Sequence, residues 1–583
     1  MNGFGDLNKS EKKKNKITKS SKEQIINQAI QLHLEGNISE AAKYYQLIIN
    51  QGCDNHIVFS NYGAIFQGQG KLEEAEKLYR AAIQLNPNYS TAHSNLGNIL
   101  RDLGKLQEAE LSTLRAIELN PDLANAHFNL GNILRVIGKL EEAEKSYRKA
   151  IELNSDHANA FFNLGVILKD LGKLEEAEKS YRRVIQLNPN YSIAHANLGN
   201  IFRDLGKLQK AEVTTRKAIE LNPDFADPHS NLGNILRDLG KFQEAEVSTR
   251  KAIKLNPQFA EAFLNLSILE LLQGDYKNGL DNYEFRFKTN KPAVIHGMTR
   301  IQRTNNQKLQ KGEKLLVVTE QGLGDTLQYM RYIPHLRNQG LEISLCAQEK
   351  LHSLIQSSGI DENPLKTKDA SEVSEGKWIP LLSLLRYLNI NPKNPIITEP
   401  YISSTNELNN KWENILSQEK RPIVALNWQG NPNAEKVYHI GRSLPLETFS
   451  SLARNNDIKF LSLQKGFGSE QLEHCSFKNK FVQCQAQIDA TWDFLENAAI
   501  IYNCDLIITS DTSIAHLAGG LGKTTWILLK HFPDWRWGLE SESTFWYPSV
   551  RLFRQKERNN WEEVIERVSS ALVKELKKNE QKS

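Results

Sequence analysis

The sequence predicts an all-α superhelix in the first half of the chain and an α/β module with two halves in the second. One observation is a glycine that recurs every 34 residues in the first half, as Gly36, Gly70, Gly104, Gly138, Gly172, Gly206, Gly240 and Gly274. Another is the alternation of short apolar runs with helical patterns after residue 313. The apolar runs are typical of buried parallel strands, so the second half is expected to contain parallel sheets.

The glycine belongs to a longer repeated pattern. Seven of the eight copies have the form G-[KN]-[LIF]-x-[EK]-A, as in residues 138–143, and an Asn-Pro pair such as Asn120-Pro121 closes the unit. Proline cannot continue a helix, so the pair ends the second helix of each hairpin. A 34-residue helix–turn–helix unit with this pattern resembles the tetratricopeptide repeat. Each hairpin has an apolar stripe that only a neighbouring hairpin can cover.

A ladder of asparagines runs through the repeats at one fixed position. Asparagine forms helices poorly, so helix stability does not explain it. The array resembles that of the protein O-GlcNAc transferases, in which such a ladder lines the concave face and holds acceptor polypeptides. The resemblance implies that an acceptor peptide or a partner protein binds in the groove, and the alternative is a repeated consensus with no ligand. The ladder residues expected to bind peptide are Asn61, Asn95, Asn129, Asn163, Asn197, Asn231 and Asn265.

The composition is that of an ordinary globular protein. The 583 residues include 73 basic and 69 acidic side chains, a net charge of +4 that is too balanced for a nucleic-acid binder. Five cysteines show no metal-ligand spacing and are interpreted as reduced thiols of a cytoplasmic protein. No stretch is apolar enough to span a membrane, although peripheral membrane contact stays open.

The predicted domains follow from these patterns. They are a disordered basic arm at 1–21, an array of eight repeats at 22–290, a linker at 291–312, an N-terminal Rossmann-like half at 313–420, a C-terminal nucleotide-sugar-binding half at 421–571 and a charged tail at 572–583. The strands are predicted at 314–319, 342–347, 422–428, 458–463, 506–510, 524–529 and 549–554. The helices of this module are predicted at 325–338, 351–358, 445–455, 491–503, 512–521 and 560–578.

The first candidate site follows the first apolar run of the module. Gly322 and Gly324 would let the backbone approach a ligand closely, and Asp325 is expected at the end of the strand. The other interpretation of Asp325 is that it only caps the following helix. Residues 322–327 lack the third glycine of a dinucleotide fingerprint, which argues against a dehydrogenase, and residues 519–524 precede a strand instead of a helix, which argues against a P-loop ATPase.

The second candidate site follows the strand predicted at 506–510. Asp511, Thr512 and Ser513 begin a helix whose free N–H groups suit a diphosphate, and His516 lies one turn further on, where it could donate to a phosphate oxygen. For Asp511, too, a helix cap is the alternative. Arg442 and Lys465 are candidates to neutralise phosphate, or else they are solvated surface charges.

These motifs resemble the heptosyltransferase-type glycosyltransferases. The resemblance rests on residues 322–325, 441–445 and 511–516, together with the tryptophan-rich segments 533–537 and 546–548. It implies a GT-B fold and an inverting transfer from a nucleotide-sugar co-substrate, with no cofactor and no metal. By position, Asp325 corresponds to the general base. The implied donor-binding residues are Gln321, Gly322, Gly324, Arg442, Lys465, Asp511, Thr512, Ser513 and His516.

Three functions therefore stay open. The first is an enzyme that transfers a sugar to a polypeptide held by the array. The second is a protein-interaction scaffold with a degenerate transferase domain. The third is a glycosyltransferase that acts on a cell-surface polysaccharide or a lipid-linked glycan.

Overall fold

The chain forms two compact units, Met1–Asp224 and Phe225–Ser583. The computed structural model describes residues 19–304, 306–320, 322–397, 399–419, 422–435, 441–454 and 457–580. Most of the predicted basic arm, residues 1–18, and the last three residues of the predicted tail lie outside these ranges. In the described part of the chain, no helix is both long and apolar enough to cross a membrane.

The predicted helical repeats are confirmed as eight hairpins. Six of them lie in the first unit: α1 Lys19–Leu34, α2 Ile38–Asn50, α3 His56–Gly68, α4 Leu72–Leu85, α5 Ser90–Asp102, α6 Leu106–Leu119, α7 Ala124–Ile137, α8 Leu140–Leu153, α9 Ala158–Asp170, α10 Leu174–Leu187, α11 Ser192–Asp204 and α12 Leu208–Leu221. Two lie in the second unit: α13 Ala226–Asp238, α14 Phe242–Leu255, α15 Ala260–Leu272 and α16 Tyr276–Tyr283.

The repeating glycine makes the turn inside each hairpin. All eight copies have a positive φ between 73° and 92°, a conformation that glycine adopts without steric cost. At Gly104, the backbone N–H of the glycine donates to Arg101 O at 2.9 Å, and that of Lys105 donates to Leu100 O at 2.8 Å. These bonds satisfy carbonyls that the end of α5 would otherwise leave unpaired.

The second unit contains two fully parallel sheets. Their strands are β1 Gln302–Arg303, β2 Lys314–Val318, β3 Glu342–Cys346, β4 Lys377–Pro380, β5 Ile423–Asn427, β6 Lys459–Ser462, β7 Leu506–Ser510, β8 Thr525–Leu529 and β9 Val550–Arg554. The strand order is β1–β4–β2–β3 in the first sheet and β6–β5–β7–β8–β9 in the second. In the second sheet the chain leaves β5 towards one edge and β7 towards the other. This reversal opens a crevice at the carboxyl ends of β5 and β7, where parallel sheets bind ligands.

Helices of 4 to 20 residues connect and cover the strands. They are α17 Leu323–Tyr329, α18 Tyr332–Asn338, α19 His352–Ser357, α20 Leu384–Tyr387, α21 Asn406–Leu416, α22 Pro432–Glu435, α23 Gln471–His474, α24 Gln485–Asp489, α25 Phe494–Tyr502, α26 Ser513–Gly520 and α27 Trp561–Glu580, with a 3-10 helix at Leu446–Arg454.

All seven predicted strands are confirmed, but several other predictions need correction. The helix predicted at 325–338 is broken between α17 and α18, where the fully buried Arg331 donates to backbone carbonyls. The predicted linker at 291–312 is part of the first sheet, because β1 pairs with β4. The weakly patterned stretch 361–420 contains β4, α20 and α21, and residues 572–580 of the predicted tail continue α27.

The compact units also divide at a different place from the predicted array boundary at residue 290. The last two hairpins, α13 to α16, belong to the same unit as the parallel sheets. Two buried contacts explain this. Tyr276 and Tyr283 of α16 meet the ring of Trp535 at centroid distances of 6.1 and 6.4 Å. Arg286, just after α16, makes a buried bidentate ion pair with Glu320, which lies two residues after the end of β2.

Candidate functional site

Asp325 does not cap the helix that it belongs to. Gly322 is the N-cap of α17 and Asp325 lies in its first turn, so the interpretation of Asp325 as the N-cap residue is wrong. The Asp325 carboxylate bends back over Gly322, where an added Cβ would come within 2.1 Å of Oδ2. Its other oxygen, Oδ1, accepts an ion-pair bond from Arg536 Nη2 at 2.8 Å. The glycine is therefore needed to make room for this carboxylate.

The surroundings of Asp325 favour a weak acid. Burial raises the pKa of its carboxyl group, the charge of Arg536 opposes that rise, and the carboxylates of Asp534 and Glu320 add to it. Arg536 is shared, because its Nε lies 3.2 Å from Asp534 Oδ1. An ionised carboxylate with a raised pKa accepts a proton more readily than an exposed aspartate does.

Asp511 follows β7 and Thr512 is the N-cap of α26, without a side-chain cap bond. The cap interpretation of Asp511 is therefore wrong as well. Burial raises the pKa of the Asp511 carboxyl group, Asp534 adds to the rise, and Arg536 and Arg442 oppose it. Asp511 and Asp325 thus share Arg536 and Asp534 as charged neighbours, although they follow strands of different sheets.

The crevice of the second sheet is built from polar side chains at three strand ends. Asn427 of β5 accepts from the hydroxyl of Thr512 at 2.8 Å and donates to Gln464 Oε1 at 2.9 Å. Gln464 Oε1 also accepts the backbone N–H groups of Trp428 and Gln429. The network fixes the start of α26 against β5 and β6.

Arg442 lies in the same crevice. Its Nη1 donates to the backbone carbonyl of Asp511 at 3.1 Å, and its Nε lies 3.2 Å from Glu435 Oε1. The guanidinium passes over Gly430, where a Cβ would come within 2.4 Å of Nη2. The structure therefore brings Arg442 to the turn that carries Asp511, and Gly430 leaves the space for it.

His516 is buried and electrically neutral. Burial lowers the pKa of its imidazole well below the usual value, and the charges of Arg536 and Arg331 lower it further. Its Nδ1 forms a hydrogen bond with the hydroxyl of Tyr547 at 3.0 Å, and its ring stacks on Trp537 at 5.4 Å. In a hydrogen bond from His516 to phosphate, the donor would therefore be neutral and only the acceptor charged.

Gly324 and His516 mark the place where the two halves meet. A Cβ on Gly324 would come within 3.0 Å of His516 Cδ2 and 3.5 Å of Ser513 Cα, because α17 and α26 pack against each other. A Cβ at residue 324 would therefore require the His516 ring to move by a few tenths of an ångström. The close approach brings the first turn of α17, with Asp325, next to the first turn of α26.

Lys465 follows β6 and is the chain neighbour of Gln464, a residue of the crevice network. Its Nζ donates to the backbone carbonyl of Ile488, and burial lowers the pKa of the amine against the opposing charge of Asp489. It lines a cleft of about 280 Å³ beyond β6 together with Trp492, whose side chain is 68% exposed. Gln321, the remaining predicted donor-binding residue, lies outside the described residues.

The ladder asparagines are all half-buried, and several donate to the preceding helical hairpin. In these cases the amide nitrogen helps to hold adjacent hairpins together, which the sequence analysis did not predict. The bonds run from Asn61 to Tyr45 OH at 3.2 Å, from Asn129 to Ser94 Oγ at 3.0 Å, from Asn163 to Asn132 Oδ1 at 2.8 Å and from Asn265 to Ser230 Oγ at 3.0 Å.

Comparison with known proteins identifies the helical hairpins. Residues 158–191 and 226–259 match the family model described as Tetratricopeptide repeat. Residues 63–104, 97–135, 131–172 and 199–240 match a second model, described as TPR repeat. The hairpins are tetratricopeptide repeats. The match to this family supports a role for the array in binding a protein partner.

Individual relatives share less of the chain. Protein FlbA of Caulobacter vibrioides is 25% identical over 332 residues, which are 52% of this chain and 53% of FlbA. This chain therefore spans about half of the length of that relative. YrrB, described as a TPR protein with an unusual peptide-binding site, is 26% identical, with a TM-score of 0.29 over 32% of this chain and 95% of YrrB. PilF of Pseudomonas aeruginosa is 17% identical, with a TM-score of 0.33 over 36% of this chain and 94% of PilF.

The sequence analysis missed several residues of the site. Arg536 had appeared only as part of a tryptophan-rich motif, and Arg331, Asn427 and Gln464 had no assigned role. Asn427 and Gln464 gave a usable signal, because each is a polar residue at the end of an apolar strand. Arg536 gave none, since it lies 211 positions from Asp325 in the sequence.

Proposed function

We propose that this protein is a glycosyltransferase that moves a sugar from a nucleotide sugar to a polypeptide acceptor, with inversion and without a metal. The observation that carries the proposal is the meeting of two turns from different sheets. Asp325 at the start of α17 and Asp511 at the start of α26 share the charged neighbours Arg536 and Asp534. A carboxylate and a helix N-terminus at one place suit a base and an anionic leaving group.

The donor diphosphate would bind in the crevice between β5 and β7. The free N–H groups at the start of α26 and the guanidinium of Arg442 supply hydrogen bonds and positive charge there. His516 would add a neutral donor in the tautomer that carries its proton on Nε2 and accepts the Tyr547 hydroxyl at Nδ1. This arrangement fixes the leaving group before the sugar is attacked.

The acceptor hydroxyl would be activated by Asp325. As the acceptor oxygen bonds to the anomeric carbon, its proton passes to the Asp325 carboxylate. The bond from that carbon to the phosphate oxygen breaks, and the nucleoside diphosphate leaves with the bonding electrons. One displacement from the opposite face inverts the anomeric configuration. General-base assistance of this kind typically contributes about 10²–10⁴-fold to the rate.

The tetratricopeptide repeats would hold the polypeptide. Because the amide nitrogens of Asn129 and Asn163 bond to adjacent hairpins, the oxygens of the ladder are the groups we assign to acceptor backbone N–H groups. The five cysteines are free thiols, in keeping with the cytoplasmic location that we propose. In the described part of the chain no cluster of three or more potential metal ligands was found, and metal independence stays part of the proposal.

The test is a thermal-shift panel of UDP, GDP and ADP sugars, followed by transfer of a labelled sugar to protein. A ligand at 100 times its dissociation constant stabilises the folded chain by about 2.7 kcal/mol. We expect a shift with one donor class in wild type and a reduced shift in Arg442→Gln. Arg551→Gln is the matched control, because Arg551 is an exposed arginine paired with Glu542. No shift and no transfer with any donor would contradict the proposal.

The second candidate is a protein-interaction scaffold whose α/β module has lost its activity. One observation favours it: Asp325 is already paired with Arg536, and an ion pair weakens a base. The same panel separates the two candidates, because a scaffold would bind its protein partner with no response to any nucleotide sugar.

A further inference from the structure

A single loop joins the last two repeats to the site. The 530–537 loop, residues 530 to 537, follows β8 in the second unit. Phe532 meets the ring of Phe242 at 5.6 Å and lies against Gly240, the turn glycine of the seventh repeat. Trp535 packs on Tyr276 and Tyr283 of the eighth repeat. The aromatic residues of the loop are therefore anchored on the repeats.

Other residues of the same loop face the site. Arg536 Nη2 bonds Asp325 Oδ1 at 2.8 Å, and Arg536 Nε lies 3.2 Å from Asp534. The Asp534 carboxylate in turn accepts the backbone N–H of Arg536 at 3.1 Å, so it fixes the loop as well as the guanidinium. Trp537 stacks on His516. Neighbouring positions of the loop thus alternate between the repeats and the carboxylate proposed as the base.

We propose that Arg536 is the positioning residue of the transfer reaction, holding the Asp325 carboxylate ionised and aimed at the acceptor while the last two repeats hold the 530–537 loop in place. The inference rests on the proposed function and adds a second requirement to it. An array whose last repeats were merely a flexible tether would have no such contact. Repeats seven and eight then help to position the Asp325 carboxylate, because they hold the loop that carries Arg536.

The charges around Asp325 explain why a positioning residue is needed. Burial raises the pKa of Asp325, and Arg536 is the cation that counters this rise. Without Arg536 the carboxyl group would keep its proton up to a higher pH, and a protonated carboxyl group cannot accept the proton of the acceptor hydroxyl. The titratable groups that face Asp325 are Arg536 and Asp534 of the loop, Glu320 after β2, Tyr329 of its own helix and Tyr283 of the eighth repeat.

Two variants should move the pH profile in opposite directions. Arg536→Gln removes the charge that lowers the pKa of Asp325, so the acidic limb of kcat/KM should move to higher pH. Asp534→Asn removes a charge that raises that pKa, so the limb should move to lower pH. Arg536→Lys keeps the charge and should stay near the wild-type limb. The exposed-pair variant Arg551→Gln should leave the profile unchanged.

The kinetic experiment uses the full chain, with UDP-N-acetylglucosamine as the first donor and the remaining sugars of the panel after it. If Arg536→Gln lowers the rate equally at every pH, Arg536 has only a structural role and the inference is overturned. If wild type transfers no sugar from any donor, the proposed function fails instead. The two failures are therefore distinguishable.

A second measurement needs no activity. Thermal melting of wild type, Asp325→Asn, Arg536→Gln and the double variant forms a double-mutant cycle at pH 7. If the pair is formed, the double variant should lose less in Tm than the sum of the single losses. Additive losses would show that Arg536 and Asp325 are not coupled and would overturn the inference.

Discussion

Repeats one to seven share one sequence pattern, from which the eighth departs after Gly274, and repeats seven and eight have different neighbours from repeats one to six. In the first unit the hairpins cover one another, as where Tyr79, Leu96 and Ile133 of three successive repeats share one buried cluster. In the second unit the eighth repeat packs Tyr276 and Tyr283 against a loop of the α/β module. A repeat consensus therefore establishes that a hairpin forms, and not what covers its apolar face.

The largest effect expected from this difference concerns truncation. A chain that begins at residue 225 keeps the whole second unit and should unfold in one cooperative transition. A chain that begins at residue 291 loses Tyr276, Tyr283 and Arg286, which exposes Trp535 and leaves Glu320 buried without its partner. We expect that fragment to aggregate or to show no cooperative transition by calorimetry.

The two fragments are controls for each other, because both contain both parallel sheets in full. If the fragment 291–583 melted as sharply and at the same temperature as 225–583, repeats seven and eight would be an ordinary part of the array. The contacts of repeats seven and eight with the α/β module would then contribute nothing to its stability.

The next effect concerns the buried ion pair. Arg286→Leu should destabilise residues 225–583 by about 3–5 kcal/mol in urea unfolding, because it leaves the Glu320 carboxylate buried and unpaired. The two side chains are only 5% and 6% exposed. Adding Glu320→Leu should restore part of the loss. Arg551→Leu, which breaks an exposed ion pair, should lower the free energy of unfolding by less than about 1 kcal/mol. Equal losses for Arg286→Leu and Arg551→Leu would contradict the burial of the Arg286–Glu320 pair.

The contrast between local and distant contacts also explains what the sequence could predict. Strand β7 and the turn at Asp511 were predicted within one residue, because an apolar run and a helix start are local signals. Strand β1 has only two residues and no apolar pattern, so residues 291–312 looked like a linker. Its place in the sheet depends on pairing with β4, 75 positions away.

Charged contacts of the site were the least predictable part. The sequence favoured Asp325 and Asp511 as site residues but equally as caps, since the same residue types begin helices. Only the three-dimensional structure brings Arg536 to Asp325 and shows that Gly322 and Thr512, not the two aspartates, are the N-cap residues. Lys465 had the right charge and strand-end position, yet its amine turns to Ile488.

The smallest stability effect is expected in the asparagine ladder. Replacing Asn129 and Asn163 by alanine removes three hydrogen bonds between hairpins, each worth about 0.5–1.5 kcal/mol, and alanine's higher helix propensity offsets part of that loss. Polypeptide binding by the array should weaken more than stability does, as measured by fluorescence anisotropy. A lower Tm with unchanged peptide affinity would show that the ladder serves only to hold the hairpins together.

The most direct test of the central claim is the transfer rate of Asp325→Asn. The asparagine keeps the shape of the side chain but cannot accept the acceptor's proton at neutral pH. Because Gly322, and not Asp325, is the N-cap of α17, the helix should form as before. The account predicts a loss of at least about 10²-fold in kcat, with donor affinity near that of wild type. A turnover close to wild type would contradict the role of Asp325 as the base.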